Sequence, residues 1–306
     1  MKNKLLLLFF LLGVFFPLSA QESEVLISTS HTSLLLSTSQ GGELKFLYYG
    51  RKLTDADVHA IVSTESGSFS AYPVYGLNCP SESALSVQHE DGNMTLQMEV
   101  IGVETTHQEK ANLTVISLKD KVYPFYVKLC YKAYQDVDVI EAWTEISHKE
   151  KKNVKLNQFA SAYLPVRKGN VWLSSLYGAW ANEARLVQEP LEPGMKVIKN
   201  KDGVRNSHTA HAEVMFSLDG QPRENSGRVI GAALCYGGNY KLRIDTDESE
   251  YHHFYAGINE DNSVYHLKSG EVFKTPELAL TYSDEGLSGG SRNFHRWART
   301  YKLANG

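Results

Sequence analysis

The chain has 306 residues, 42% hydrophobic, 11% aromatic and 22% charged, which excludes disorder, collagen-like repeats and coiled coil. Its 31 Lys and Arg against 35 Asp and Glu give a formal charge of −4 with no basic run, which excludes a nucleic-acid binder that tracks phosphates. Seventeen Tyr, twelve Phe, four Trp and 23 Gly favour strands and turns over helices.

Lys2 and Lys4 precede an almost unbroken apolar run from Leu5 to Phe16. Pro17-Leu-Ser-Ala20 then offers small residues before the polar Gln21. That order is expected of a secretory signal peptide cleaved after Ala20, and the run is too short for a membrane span. No Cys follows it to carry a lipid. The mature chain, with 29 basic and 35 acidic residues and a charge of −6, is therefore expected in the periplasm or secreted. Cys79, Cys130 and Cys235 are odd in number, and the latter two lie in apolar runs. Buried unpaired thiols are expected, with neither a disulfide framework nor a zinc site.

The body of the chain reads as many short strands. Leu34 to Ser37 and Glu43 to Tyr49 come first. Met94, Leu96, Met98 and Val100 then alternate with Thr95, Gln97 and Glu99, the pattern of a half-buried strand. Leu113 to Leu118, Tyr126 to Tyr131 and Val139 to Ile146 follow. After them come Ala212 to Leu218, Arg228 to Tyr236, Tyr240 to Asp245, Val264 to Leu267 and Leu278 to Ser283. Turn signals such as Gly41-Gly42, Asp91-Gly-Asn93, Asp219-Gly220 and Gly237-Gly-Asn239 separate them. This spacing predicts an all-β fold, two large stacked antiparallel sheets, with no repeat or linker to divide it. One helix is expected at the end. Phe294, Trp297, Ala298 and Tyr301 form one apolar stripe, with Ser291 as N-cap and Leu303 as the last residue.

Local chemistry is sparse. His208-Thr-Ala-His211 and His252-His253 would each split across a strand, which disfavours metal binding. Asn93-Met-Thr and Asn112-Leu-Thr match glycosylation acceptors. There is no Gly-x-Ser-x-Gly elbow, phosphate loop or Rossmann fingerprint. Glu141, Glu145, Glu183, Glu213 and Asp245 lie in or near predicted strands, but sequence alone pairs no two of them as glycoside hydrolysis requires.

A family resemblance adds to this reading. Leu44-Lys-Phe-Leu-Tyr-Tyr-Gly-Arg-Lys-Leu53 resembles the early strand and turn of glycoside hydrolase family 36, the α-galactosidases. Tyr72-Pro-Val-Tyr-Gly76 is similar to the loop that follows, and Tyr177-Gly-Ala-Trp-Ala-Asn-Glu183 to a Gly-x-Trp-x-x-Glu segment. Leu191, Gly194, Ile198, Gly203 and Asn206-Ser-His208 continue in order. Ala256-Gly-Ile-Asn259, Gly270-Glu-Val-Phe-Lys-Thr-Pro-Glu277 and Tyr282-Ser-Asp-Glu-Gly-Leu-Ser-Gly-Gly-Ser-Arg-Asn-Phe-His295 complete the match. The sequence departs from the family pattern at Leu77-Asn-Cys-Pro-Ser-Glu-Ser-Ala84 and at Ser263-Val-Tyr-His266.

The resemblance implies a β super-sandwich of the galactose-mutarotase-like kind, then a linking helix, then a (β/α)8 barrel holding the catalytic carboxylates. It divides this chain into a signal peptide (1–20), a sandwich (21–287) and a linking helix (288–306) that would lead into a barrel the sequence does not contain. No catalytic residue is carried over, and no cofactor or metal is implied. In oligomeric members, loops of this sandwich reach a neighbouring subunit's pocket. Asp55, Asp57, Tyr72 and Tyr75 are the corresponding candidates here, with α-galactosides as substrates of the completed enzyme and a homo-oligomer as its assembly. Turn formation by the aspartates and packing by the tyrosines is the plainer role for these four. Two further readings stay open: a non-catalytic carbohydrate-binding or assembly module serving a separately encoded barrel, and an unrelated sandwich enzyme. Without a barrel, the Phe294–Trp297–Tyr301 stripe, or the sandwich face beneath it, is expected to lie open to water and to drive self-association.

Overall fold

Apolar–polar alternation folds the chain into three antiparallel sheets, of ten, six and four strands. The computed structural model describes residues 23–64, 69–76, 82–205 and 208–303. The signal-like segment, Cys79 and Asn206-Ser207 lie outside them. The ten-stranded sheet runs in the order Arg185–Pro190, Trp172–Tyr177, Ala210–Ser217, Val229–Leu234, Leu278–Ser283, Val139–His148, Phe125–Tyr134, Ala111–Asp120 and Met98–His107. Val272–Lys274 adds to Val139–His148. The six-stranded sheet orders Gly194–Lys199, Tyr240–Thr246, His252–Ile258, Val154–Val166 and Tyr265–Leu267. Leu85–Gln88 also pairs with Val154–Val166.

The period of two decides which faces meet. Phe125, Val127, Leu129, Tyr131 and Ala133 point inward, whereas Lys128 between them is exposed. Aromatic pairs join the two large sheets: Phe216 meets Phe254 with centroids 5.2 Å apart, and Phe159 meets Phe273 at 5.0 Å. The Thr144 hydroxyl donates to the Ser161 carbonyl across the same gap, at 3.0 Å. The four-stranded sheet (Ser23–Ser28, Thr32–Thr38, Leu44–Arg51, Phe69–Ser70) closes one end. Asp138 pins it there by accepting from the Thr29 hydroxyl at 2.7 Å and the His31 amide at 2.8 Å.

Several expectations need correction. The Met94–Val100 alternation enters a strand only at Met98, because the buried Leu96 pairs instead with Gly76 of a neighbouring loop. Cys130 is buried, and burial pushes its thiol up to about 12. Cys235 is exposed, because its strand ends at Leu234.

Two helices occur among the described residues, one more than expected: α1 (Asp55–Thr64) and α2 (Gly286–Trp297), the latter continued by a π turn, Ala298–Lys302. The terminal helix begins before Ser291 because a distant loop caps it. Leu287 and Ser288 donate to the carbonyls of Arg223 and Glu224, at 3.1 and 2.9 Å. Gly286 has φ +67, and a Cβ there would lie 2.5 Å from the Arg223 carbonyl oxygen. The aromatic stripe is also not the open surface expected. Trp297 is buried against Ala111, Tyr134, Val137, Val139 and Ala279, with Phe294, Ala298 and Tyr301 packed around it. Small side chains on the sheet make the room, and at Gly231 a Cβ would meet the Phe294 ring at 2.8 Å. The sandwich covers its own helix.

Candidate functional site

The turn after Leu44–Arg51 carries the first two candidates. Leu53 donates its amide to the Ser33 hydroxyl at 3.1 Å, which fixes where α1 starts. Thr54 is the N-cap. Its amide and hydroxyl donate to Asp57 at 2.9 and 2.7 Å, and the Asp57 amide returns a bond to the Thr54 hydroxyl at 3.3 Å. Those bonds hold the Asp57 carboxyl below the ordinary range. Asp55, in the first turn, is exposed, and only Val58 of this helix is fully buried. The helix therefore stands off the sandwich, with Asp57 serving its cap and Asp55 facing solvent.

The two tyrosines have opposite settings. Tyr72 is buried and donates to the Ala160 carbonyl at 2.7 Å, and burial raises its phenol above the usual range. Tyr75, three residues on, is 51% exposed. Its backbone is fixed on both sides: its amide donates to Leu85 at 2.9 Å, and its carbonyl accepts from Leu96 at 3.0 Å.

Tyr75 stands on the wall of an open groove of about 960 Å³ over the six-stranded sheet. Lys241 and Asp245 line its floor, four positions apart and so on one face of Tyr240–Thr246, while Tyr240, Leu242 and Ile244 point into the core. Lys241 binds Asp261 at 2.8 Å and Glu260 at 3.0 Å. Burial opposes its charge, but those two carboxylates raise its pKa. Lys199 and then Lys241 hold Asp261 well below the carboxylate range. Arg243 lies over the Tyr255 ring at 4.5 Å and donates to the Ser83 carbonyl at 2.9 Å. Asn157 and Gln158 form the opposite side, at a bulge where Val154–Val166 slips register against Leu85–Gln88.

The strand carboxylates do not gather. Glu141 is buried, accepts from the Tyr134 hydroxyl at 2.8 Å and pairs with Lys302. Glu145 takes the Trp143 indole N–H at 3.1 Å, and Glu183 takes the Ala181 amide at 3.1 Å in the hairpin turn that leaves Trp180 exposed. Glu213 lies 3.4 Å from His211, and Asp245 lines the groove. No two of the five share a partner among the described residues. His252 and His253 are buried with different neighbours: His252 bonds Thr246 at 2.9 Å, and His253 bonds Tyr163 at 2.7 Å and Asp247 at 3.0 Å. Among the described residues no three His, Cys, Asp or Glu side chains come together as a metal site would require.

The sequence pointed to Tyr75 but not to Ser86, Asn157, Lys241 or Glu260. The one available signal was the polar face Lys241–Arg243–Asp245 on an otherwise apolar strand.

Residues 42–268 match the glycosyl hydrolase family 36 N-terminal domain. The chain belongs to that family. It is 32% identical over 191 residues to α-galactosidase Mel36A of Lactobacillus acidophilus, covering 62% of this chain and 26% of the relative. It is 28% identical over 250 residues to α-galactosidase AgaA of Geobacillus stearothermophilus, covering 77% of this chain and 34% of the relative. The galactosidase domain of the α-galactosidase–sucrose kinase AgaSK, known from Mediterraneibacter gnavus, superposes with a TM-score of 0.82 at 25% identity. That match covers 90% of this chain and 42% of that one. AgaA solved with raffinose shares the fold at a TM-score of 0.84 and 23% identity, over 91% of this chain and 43% of its own. The chain thus spans between about a quarter and a third of these two curated relatives.

Proposed function

We propose that this chain is the super-sandwich portion of a secreted or periplasmic α-galactosidase-like glycoside hydrolase, one that removes terminal α-galactosyl residues from galacto-oligosaccharides. The observation that carries the reading is the unbroken family match over residues 42–268, in a chain spanning 42% of the AgaSK galactosidase domain. AgaA is known in complexes with raffinose and stachyose, and on this reading such α-galactosides are the substrate class.

Retaining hydrolysis needs two carboxyl groups roughly 5–5.5 Å apart, one as nucleophile and one as acid. Glu141, Glu145, Glu183 and Glu213 are each bound to a different neighbour, so the catalytic pair on this reading belongs to a (β/α)8 barrel. The sandwich would occupy 21–287 and the linking segment 288–306; α2, which starts at Gly286, would then hold the sandwich end of that link. In a homo-oligomer, Asp55 and Tyr75 have the exposure to reach a neighbouring subunit. Asp57 would hold α1 in place, and Tyr72 would anchor the loop behind Tyr75.

Two measurements test this. The purified chain is expected to show no turnover of an aryl α-galactoside; turnover that follows the protein through purification and is absent from a mock preparation contradicts it. Nucleotide sequence beyond codon 306 is expected to encode a (β/α)8 barrel, and an unrelated neighbour there overturns the assignment.

A further inference from the structure

We propose that the groove on the six-stranded sheet binds a neutral saccharide. The inference goes beyond the hydrolase reading, because it needs no catalytic group and stands on side chains of this chain alone.

The first observation is unused hydrogen-bonding capacity. Ser86 is 5% exposed as a residue, and its hydroxyl opens on the groove wall with no hydrogen-bond partner among the described residues. Unlike the sealed hydroxyls of the core, it stays accessible from the groove and so is open to a ligand. The side chains of Asn157 and Asp245, which face the same space, are also without partners among the described residues. Asn157 sits at a bulge between Leu156 and Gln158, where one residue is displaced from the ladder with Leu85–Gln88. Bulges of this kind re-aim a side chain. Here the result is a donor–acceptor amide on the groove wall beside a hydroxyl and a carboxylate.

The second observation is Tyr75. Its backbone is locked by hydrogen bonds on both sides while its ring stays half exposed at the groove. A fixed aromatic face can cover the C–H side of a sugar ring, while the amide, hydroxyl and carboxylate meet the hydroxyl groups at its edge. The groove volume of about 960 Å³ lies in the range of small-molecule sites.

Charge selects among polar ligands. The lining carries the carboxylates of Glu82, Asp245, Glu260 and Asp261; Arg243 pairs with Glu82 and both Lys199 and Lys201 with Asp261, which leaves Asp245 as the lining carboxylate with no cationic partner among the described residues. Lys241 is already bound to two of those carboxylates. A phosphate or uronate would meet the unpaired Asp245 carboxylate, whereas a polyol offers donors to that carboxylate and acceptors to Asn157 and Ser86.

Isothermal titration of the purified chain with galactose, raffinose and galacturonate tests the site. A neutral sugar is expected to bind saturably and galacturonate not to bind. Tyr75→Ala and Asp245→Ala should each weaken binding roughly threefold to tenfold. Asn157→Ala, outside the ladder, serves if Asp245→Ala does not fold. Absence of saturable binding by either neutral sugar overturns the proposal. So does equal binding of galacturonate, or affinity unchanged in the variants. Such a failure leaves the hydrolase reading untouched, since that reading is judged by turnover and by the gene downstream.

Discussion

The corner beneath α2 and the groove beside Tyr75 both bring polar groups onto a sheet face, but they settle them differently. Under α2 the buried Glu141 carboxylate meets Tyr134 and Lys302, and Asn293 donates to the Thr281 hydroxyl at 2.9 Å and the Tyr282 carbonyl at 3.3 Å. The Trp297 ring seals that corner, with the Lys302 ammonium 5.3 Å from its centroid. In the groove, Ser86, Asn157 and Asp245 answer to nothing within the described residues. One region uses its polar groups to hold an element of the fold. The other keeps them for something outside the chain.

That contrast makes separable expectations. The largest effect is at the corner: Trp297→Ala should cost about 3–5 kcal/mol of stability, through a cavity beside Tyr134 and Val139. Chemical denaturation measures it, and sugar binding at the folded variant should not change. If binding falls along with stability, the two regions are not independent.

A smaller effect is expected at α1. Thr54→Ala removes one half of the capping box and should cost about 1 kcal/mol, confined to that helix because only Val58 is fully buried. Faster amide exchange across Asp55–Thr64 with little change in the global midpoint is the expected pattern. A global loss of similar size would show that α1 is part of the sandwich core.

The smallest effect concerns acid. Arg228 holds the Asp219 carboxyl at about 2, down from 3.8, in the loop that caps α2. A depressed carboxylate stabilises the folded state fully above its unfolded value and loses that contribution as pH falls through its folded one. The window is therefore pH 4 down to 2. Both side chains are about two-fifths exposed, so the pair is worth no more than about 1 kcal/mol. Asp219→Asn should lower the thermal midpoint slightly at neutral pH and remove that share of its fall in acid.

How much of this was legible in the sequence depended on how local the cause was. Leu278–Ser283, buried throughout, was readable to the residue as a short apolar run, and Ala111–Asp120 to within a few residues because it buries one face and alternates. Val154–Val166 was missed. Its C-terminal half is buried on both faces and two bulges interrupt its pairing, so no period of two survives. The start of α2 was misplaced because its cap is a loop some sixty residues earlier in the chain, around Arg223 and Glu224. α1 was legible in principle, since Thr54-x-x-Asp57 spells its capping box. The groove was not legible, because its walls come from separate strands and from loops as distant as Tyr75 and Asp261.

Hydrogen exchange of the whole chain with and without raffinose tests most directly the claim that the groove, and not the helix corner, faces a ligand. Slowed exchange at Tyr75, Gly76, Leu85–Gln88 and Asn157–Gln158, with Gly286–Lys302 unchanged, is the expected result. No slowing at those segments, or slowing at Gly286–Lys302 in their place, would contradict it.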